Sequence, residues 1–210
     1  MASALELRLW IVTLVCTAAV LAAGALVANR PPTALDVAAG SLRGHAVPLA
    51  LFFTALGRWP VLLGLGVVAA GTAVAARAGI TAVAILYGAQ IVSQGANAGV
   101  KLLFHRHRPD AWLHIHETDL SFPSGHAVTA IVFFVGFAIL AWHAPLPRPV
   151  ASALVAVLLV CAVGIPWSRL ALAAHYFTDV IAGLLFGTAF LCAALALILR
   201  YVSMRSISAG

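Results

Sequence analysis

Three short stretches of the chain carry residue types that can do chemistry together. The first holds Lys101, Arg108 and Pro109, the second is Pro123-Ser124-Gly125-His126, and the third runs from Ser168-Arg169 to His175 and Asp179. Lys101, Arg108 and Arg169 are cations suited to an anion, most simply a phosphate, which an arginine fork grips through two oxygens at once. Ser124 offers a hydroxyl, Gly125 lets the backbone approach an anion closely, and His126 sits in the first turn of the helix that Pro123 opens. His175 and Asp179 are four residues apart, one helical turn, so the carboxylate can hold the imidazole in one tautomer and raise its basicity. A nucleophilic histidine needs that arrangement, with one nitrogen anchored and the other free to attack. Cations for the oxygens, a nucleophile and an acid for the leaving group are the parts required to break a phosphate ester.

The elements that must position these residues are membrane helices. The chain is 63% hydrophobic and 9% charged, with a mean hydropathy of +1.08, whereas a soluble domain is about 25% charged. The expected fold is all-α and polytopic, a single membrane-embedded domain over residues 1–210 with spans at 9–29, 60–76, 80–104, 122–142, 150–165 and 176–199, six in all. The 9–29 run exceeds the core of a secretory leader, so a retained helix is expected. Between the first two spans, Leu35, Asp36, Val37 and Leu42 suggest a short amphipathic helix. The apolar stretch Ala46–Leu56 is too short to span and is expected to lie in the interface near the site. Pro166 is expected to end the fifth span.

On the third span Gln90, Gln94, Asn97 and Lys101 share one helical face, which should point into the bundle. The glutamines read as interhelical glue and Lys101 as a ligand. Gly95/Gly99 and Gly183/Gly187 are GxxxG pairs that permit close helix approach within the chain, and they leave the oligomeric state open. Six spans bring both termini to one side and all three chemical stretches to the other. Arg8, Arg77, Arg148, Arg200 and Arg205 on the terminal side, set against Arg30, Arg43, Arg58 and Arg106 opposite, tip the expectation towards cytoplasmic termini and an external site. The net charge of +6 comes without a long basic run, which argues against a nucleic-acid partner. Cys16, Cys161 and Cys192 lie in apolar runs and read as small buried hydrophobes.

Taken together, Lys101-x6-Arg108-Pro109, Pro123-Ser124-Gly125-His126 and Ser168-Arg169-x5-His175-x3-Asp179 resemble the three-part signature of the type 2 phosphatidic acid phosphatase (lipid phosphate phosphatase) superfamily, here across residues 101–179. The resemblance implies that His175 is the nucleophile and forms a phosphohistidine, with Asp179 orienting it. It implies that His126 is the general acid and later activates water, and that Lys101, Arg108, Ser124, Gly125 and Arg169 bind the phosphoryl oxygens. Ser168, Asn97, Pro109 and Pro123 would support them, and no metal or other cofactor is expected. The implied protein is an integral phosphatase of the bacterial inner membrane, with its site on the periplasmic face and its substrate entering from the bilayer.

Undecaprenyl diphosphate, cleaved to undecaprenyl phosphate, leads among the lipids. Phosphatidic acid, phosphatidylglycerophosphate and lipid A phosphate stay open, as does transfer to another lipid. The reading from another class is a non-catalytic lipid-binding or transport protein, which the presence of His126, His175 and Asp179 disfavours. The loop pairs His105/His107 and His114/His116 read as headgroup contacts or solvated polarity ahead of metal ligands, and Asp110, Glu117 and Asp119 as partners of nearby cations. Trp10, Trp112, Trp142 and Trp167 read as interfacial anchors.

Overall fold

The computed structural model describes residues 3–75, 79–110 and 117–208; Arg77, Trp112, His114 and His116 lie outside the described residues, as does the side chain of Arg205. Among the described residues every regular element is a helix. α1 (Ala4–Val27) begins at Ser3, whose hydroxyl accepts the Glu6 N–H at 3.1 Å. It ends before Arg30-Pro31-Pro32, where the prolines withhold donors. α2 (Ala34–Ala39) starts with a capping box between Thr33 and Asp36 and runs into a 3₁₀ turn at Gly40–Leu42. α3 (Val47–Leu56) and α4 (Trp59–Ala75) meet at a 54° bend. α5 (Ile80–Phe104) leads into the polar loop. α6 (Gly125–Thr129) continues through a π segment, Ala130–Val135, into α7 (Gly136–His143). α8 (Arg148–Ala171) and α9 (Phe177–Ser208) complete the chain.

Among the described residues four helical stretches are long and apolar enough to cross a membrane: Ala4–Val27, Gly125–His143, Arg148–Ala171 and Phe177–Met204. The bent pair α3–α4 brings the number to five, and the chain is a multi-pass membrane protein. The count of six expected from the sequence is not reached on these criteria. α5 has 25 residues, about 38 Å of helix at 1.5 Å per residue, which is length enough. Its apolarity is lowered by Gln90, Ser93, Asn97 and Lys101, all of them buried inside the protein. α4 alone has 17 residues.

α3 abuts α4 and packs on α8, with the Phe53 ring over Gly164, where a Cβ would come within 2.3 Å. One further expectation changes. α8 does not end at Pro166 but carries the buried proline inside it to Ala171. Packing on that stretch, including the Phe53–Trp167 edge contact at 6.3 Å, outweighs the lost hydrogen bond. This places Ser168 and Arg169 on the last turn of α8.

Gly125–His143 is the central helix, 61% buried against 22% for Ala4–Val27 and 28% for Arg148–Ala171. Its Phe133, Phe134 and Phe137 form the main core with Leu86, Ile165 and Leu191. Leu14, Val68, Val160 and Val163 point outward, which is stable when lipid replaces water. The glycine pairs behave differently. A Cβ on Gly183 would sit 2.4 Å from the Ser124 carbonyl oxygen, and one on Gly187 would sit 2.9 Å from Ile131 Cβ, so α9 lies directly against the start of the central helix. A Cβ on Gly95 or Gly99 would meet nothing within 4 Å among the described residues, so this pair brings no described helix into contact.

Candidate active site

The loop after α5 leaves its helix at His105, which takes a left-handed conformation with φ 48°. From there the chain alternates: His105 and His107 are exposed, Arg106 and Arg108 buried. The period of two is that of an extended segment, and it turns both arginines inward. The Ser121 N–H donates to the Arg106 carbonyl at 2.8 Å, tying the two ends of the loop together.

Three cations of the signature meet here and are joined by two loop carboxylates. Lys101 bonds to the Asp119 carboxylate and the Leu120 carbonyl. Arg108 bonds to the other Asp119 oxygen and pairs with Glu117 Oε2 at 2.9 Å. Arg169 donates to Glu117 Oε1 at 2.6 Å and to the Thr54 hydroxyl. The order is therefore Lys101–Asp119–Arg108–Glu117–Arg169, with carboxylates standing between cations where anionic oxygens would bind. Burial pushes the Asp119 carboxyl up, but the hydrogen bond and charge of Lys101, together with Arg108, outweigh it and hold it below its ordinary value.

His175 lies in the turn between α8 and α9, buried, with Nε2 2.9 Å from Arg108 Nη1. An arginine nitrogen only donates, so Nε2 accepts and the proton of the neutral ring is on Nδ1. Burial pushes the imidazole well below its ordinary value, and Arg108, Arg169, Lys101 and His126 push the same way. The neutral form, with an unprotonated Nε2 facing the clamp, is the form that can attack.

Asp179 holds the ring less directly than the spacing suggests. The one-turn rule applies inside a helix, but α9 starts at Phe177 and His175 precedes it. Nδ1 is 3.6 Å from Asp179 Oδ2, with the Ser121 hydroxyl 3.4 Å from Nδ1 and donating to that same oxygen. Oδ2 also accepts the Tyr176 N–H at 2.9 Å, and Oδ1 accepts from Arg106 at 2.5 Å. Arg106 reaches Asp36 as well, at 2.9 Å. Burial pushes the Asp36 carboxyl up, but the N–H groups of Thr178 and Thr33 with the Thr178 hydroxyl and Arg106 pull it below its ordinary value.

Pro123 stands one residue before the N-cap rather than in the first turn, because the helix starts at Gly125 with Ser124 as its cap. The Ser124 N–H donates to the Asp179 carbonyl at 3.0 Å, while its buried hydroxyl has no partner among the described residues, like Arg169 Nε. Buried donors left open in this way suit an anion. His126 Nε2 lies 3.2 Å from the Thr54 carbonyl, an acceptor only, so Nε2 carries the hydrogen and Nδ1 is left to gain or lose a proton. Ser168 turns its hydroxyl back to the Ile165 carbonyl at 2.7 Å and so braces its own helix. A cavity of about 570 Å³ opens on this cluster, lined by Asn97, Lys101, Arg108, Gly125, His126 and His175 and also by Arg58 and Trp59. Gln94 bonds the Gly125 carbonyl at 3.2 Å and Gln90 the Thr129 hydroxyl at 2.9 Å, the interhelical glue expected of them. Pro109, half-buried, follows Arg108 where the loop turns back to solvent. Among the described residues no three His, Cys, Asp or Glu side chains converge as metal ligands.

Sequence reasoning named the signature residues that meet here but passed over Arg106, Ser121, Asp36, Thr54 and Thr178. The alternation at 105–108 was the available signal for Arg106.

The chain matches the PAP2 superfamily over residues 78–203, more than half its length, and belongs to that family. Its fold is that of a transmembrane PAP2-type phosphatidylglycerolphosphate phosphatase from Bacillus subtilis, with a TM-score of 0.70 over 93% of this chain and 96% of that one, at 24% identity. In sequence it is similar to the lipid A 1-phosphatase of Rhizobium johnstonii, 40% identical over 75 residues, and to that of Rhizobium etli, 40% identical over 72 residues. Those matches take in 36% and 34% of this chain and 27% of each relative's length.

Proposed function

We propose that the chain is a membrane lipid phosphatase that works through a phosphohistidine on His175. Lys101, Arg108, Arg169 and the Ser124 hydroxyl bind the phosphoryl oxygens in place of Glu117 and Asp119. His126 enters the step protonated at both nitrogens: Nε2 of His175 attacks phosphorus, the bond to the lipid oxygen breaks, and His126 gives that oxygen the proton on its Nδ1 while its Nε2–H stays on the Thr54 carbonyl. Water then attacks the phosphohistidine, His126 takes the water's proton, and inorganic phosphate leaves with His175 neutral again. The observation that carries this reading is the Nε2 of a buried His175 placed 2.9 Å from a clamp arginine, which can only donate to it.

For the substrate, the similarity to lipid A 1-phosphatases favours the 1-phosphate of lipid A. Undecaprenyl diphosphate is favoured by a different observation: Arg58 lines the same cavity as Lys101 and Arg108 and can meet a second phosphate. We place the site on the periplasmic face of the inner membrane, with cytoplasmic termini.

The test is phosphate release from a panel of lipid A 1-phosphate, undecaprenyl diphosphate, phosphatidylglycerophosphate and phosphatidic acid in mixed micelles, with chelator present and absent. Release from at least one lipid that is lost in His175→Ala supports the reading. A wild type inert on the whole panel returns the chain to a lipid-binding role, and appearance of a phosphorylated acceptor lipid in place of phosphate makes it a transferase.

A further inference from the structure

Arg106 occupies one of the six unspecified positions between Lys101 and Arg108, and it is not among the side chains that line the cavity. It is nonetheless among the most constrained charges in the molecule. Its guanidinium pairs with Asp36 at 2.9 Å and Asp179 at 2.5 Å, and both carboxylates are fully buried. It donates to the Thr178 hydroxyl at 2.6 Å and lies 4.3 Å over the Tyr176 ring. Asp36 completes the circuit, since its Oδ1 accepts the Thr178 N–H at 2.8 Å and the Thr178 O–H at 2.9 Å. α2 is thereby fastened to the first turn of α9, three residues beyond His175 in the chain.

The division of labour at Asp179 gives this circuit its meaning. Oδ1 is taken by Arg106, which leaves Oδ2 for Ser121, the Tyr176 N–H and the Nδ1 side of His175. A carboxylate gripped at one oxygen by a fixed guanidinium cannot rotate its other oxygen away. We propose that Arg106 is the positioning residue of this site: it holds Asp179 so that Oδ2 serves Ser121 and His175, and Asp36 on α2 holds Arg106 in turn. The proposal rests on the reading of His175 as nucleophile.

A residue that only staples helices together lowers the amount of folded protein, whereas a positioning residue slows each folded molecule. The test therefore measures kcat and KM separately, per folded protein, with the panel lipid that the wild type turns over fastest. In Arg106→Gln, kcat falls about 10- to 100-fold, the cost of a misplaced reacting group, while KM stays within about 2-fold because Arg106 touches no phosphate. Arg106→Lys, which keeps the charge, recovers part of the lost kcat. Asp36→Asn gives a smaller fall, about 3-fold, again in kcat. Should Arg106→Gln not yield folded protein, Arg106→Lys carries the test: a reduced kcat at unchanged KM supports the proposal, and a wild-type kcat or a raised KM overturns it. An unimpaired Arg106→Gln beside an inactive His175→Ala sinks the positioning role alone. A His175→Ala that turns over normally, or a wild type inert on every lipid, sinks the nucleophile reading and the positioning role with it.

Discussion

Arg106 and Arg108 are the same residue type two positions apart, both turned inward by one extended segment, yet they stand in opposite circumstances. Arg106 is paired with Asp36 and Asp179, both 0% exposed at the side chain, whereas Arg108 is paired with Glu117 and Asp119, which are 24% and 55% exposed. Water cannot replace a partner in the first pair, because separating it would strand charges in a dry interior. In the second pair the carboxylates can swing into solvent at little cost, which under the proposed function lets a phosphate take their place. The difference teaches that burial of the partner, rather than of the arginine, decides whether a cation is part of the frame or part of the binding site.

The largest expected effect bears on what the two arginines serve. His175→Ala should lower lipid phosphate release by at least about 10⁴-fold, as loss of a nucleophile does; a residual rate above one hundredth of wild type breaks the account at its centre. Next, Arg108→Gln should lower kcat/KM about 10²- to 10³-fold, with a clear rise in KM. Steady-state kinetics showing a lower kcat at constant KM would make Arg108 behave like Arg106 and erase the contrast.

Stability should divide the two arginines the other way. Denaturant titration in detergent should show Arg106→Gln destabilised by about 3 kcal/mol or more, since it leaves two carboxylates buried and uncompensated. Arg108→Gln should cost less, about 1 to 2 kcal/mol, because Glu117 and Asp119 can hydrate and only the buried His175 Nε2 and Ala174 carbonyl lose a donor. A smaller effect is expected from Glu117→Gln combined with Asp119→Asn. Without resident carboxylates the clamp is open more of the time, so inorganic phosphate should inhibit about 3- to 10-fold more tightly; unchanged inhibition means that the carboxylates do not compete for the clamp.

The mildest test is pH. The folded-state value of His175 is lowered well below 6.5, so the imidazole stays neutral as pH falls past 6.5 while the unfolded chain takes up a proton. The acid limb of kcat/KM should lie below pH 6.5, and the contribution of His175 to stability should decline as pH falls through that window. An acid limb at or above 6.5 contradicts a buried neutral nucleophile.

The signature residues were legible because their chemistry is written in residue type and spacing: a cation cluster, PSGH, and a histidine near an aspartate. The helices were legible for the same kind of reason, since long apolar runs admit little else. Boundaries were less so. Pro166 reads as a stop, but Phe53 and Trp167, distant in sequence from one another, pack so that the helix continues. Of two GxxxG pairs identical on paper, Gly183/Gly187 touches a neighbouring helix, because that face of α9 meets the start of the central helix, while Gly95/Gly99 touches none of the described helices.

The sequence by itself determined that this is a helical membrane protein with the parts for phosphoryl chemistry, because lipid solubility and reactive groups are properties of the residues. Tertiary structure decided that Ser121 stands between His175 and Asp179, that Glu117 and Asp119 fill the clamp, and that Asp36 reaches across 142 residues to Thr178. Those contacts depend on which surfaces meet when the helices pack, and no local spacing encodes that.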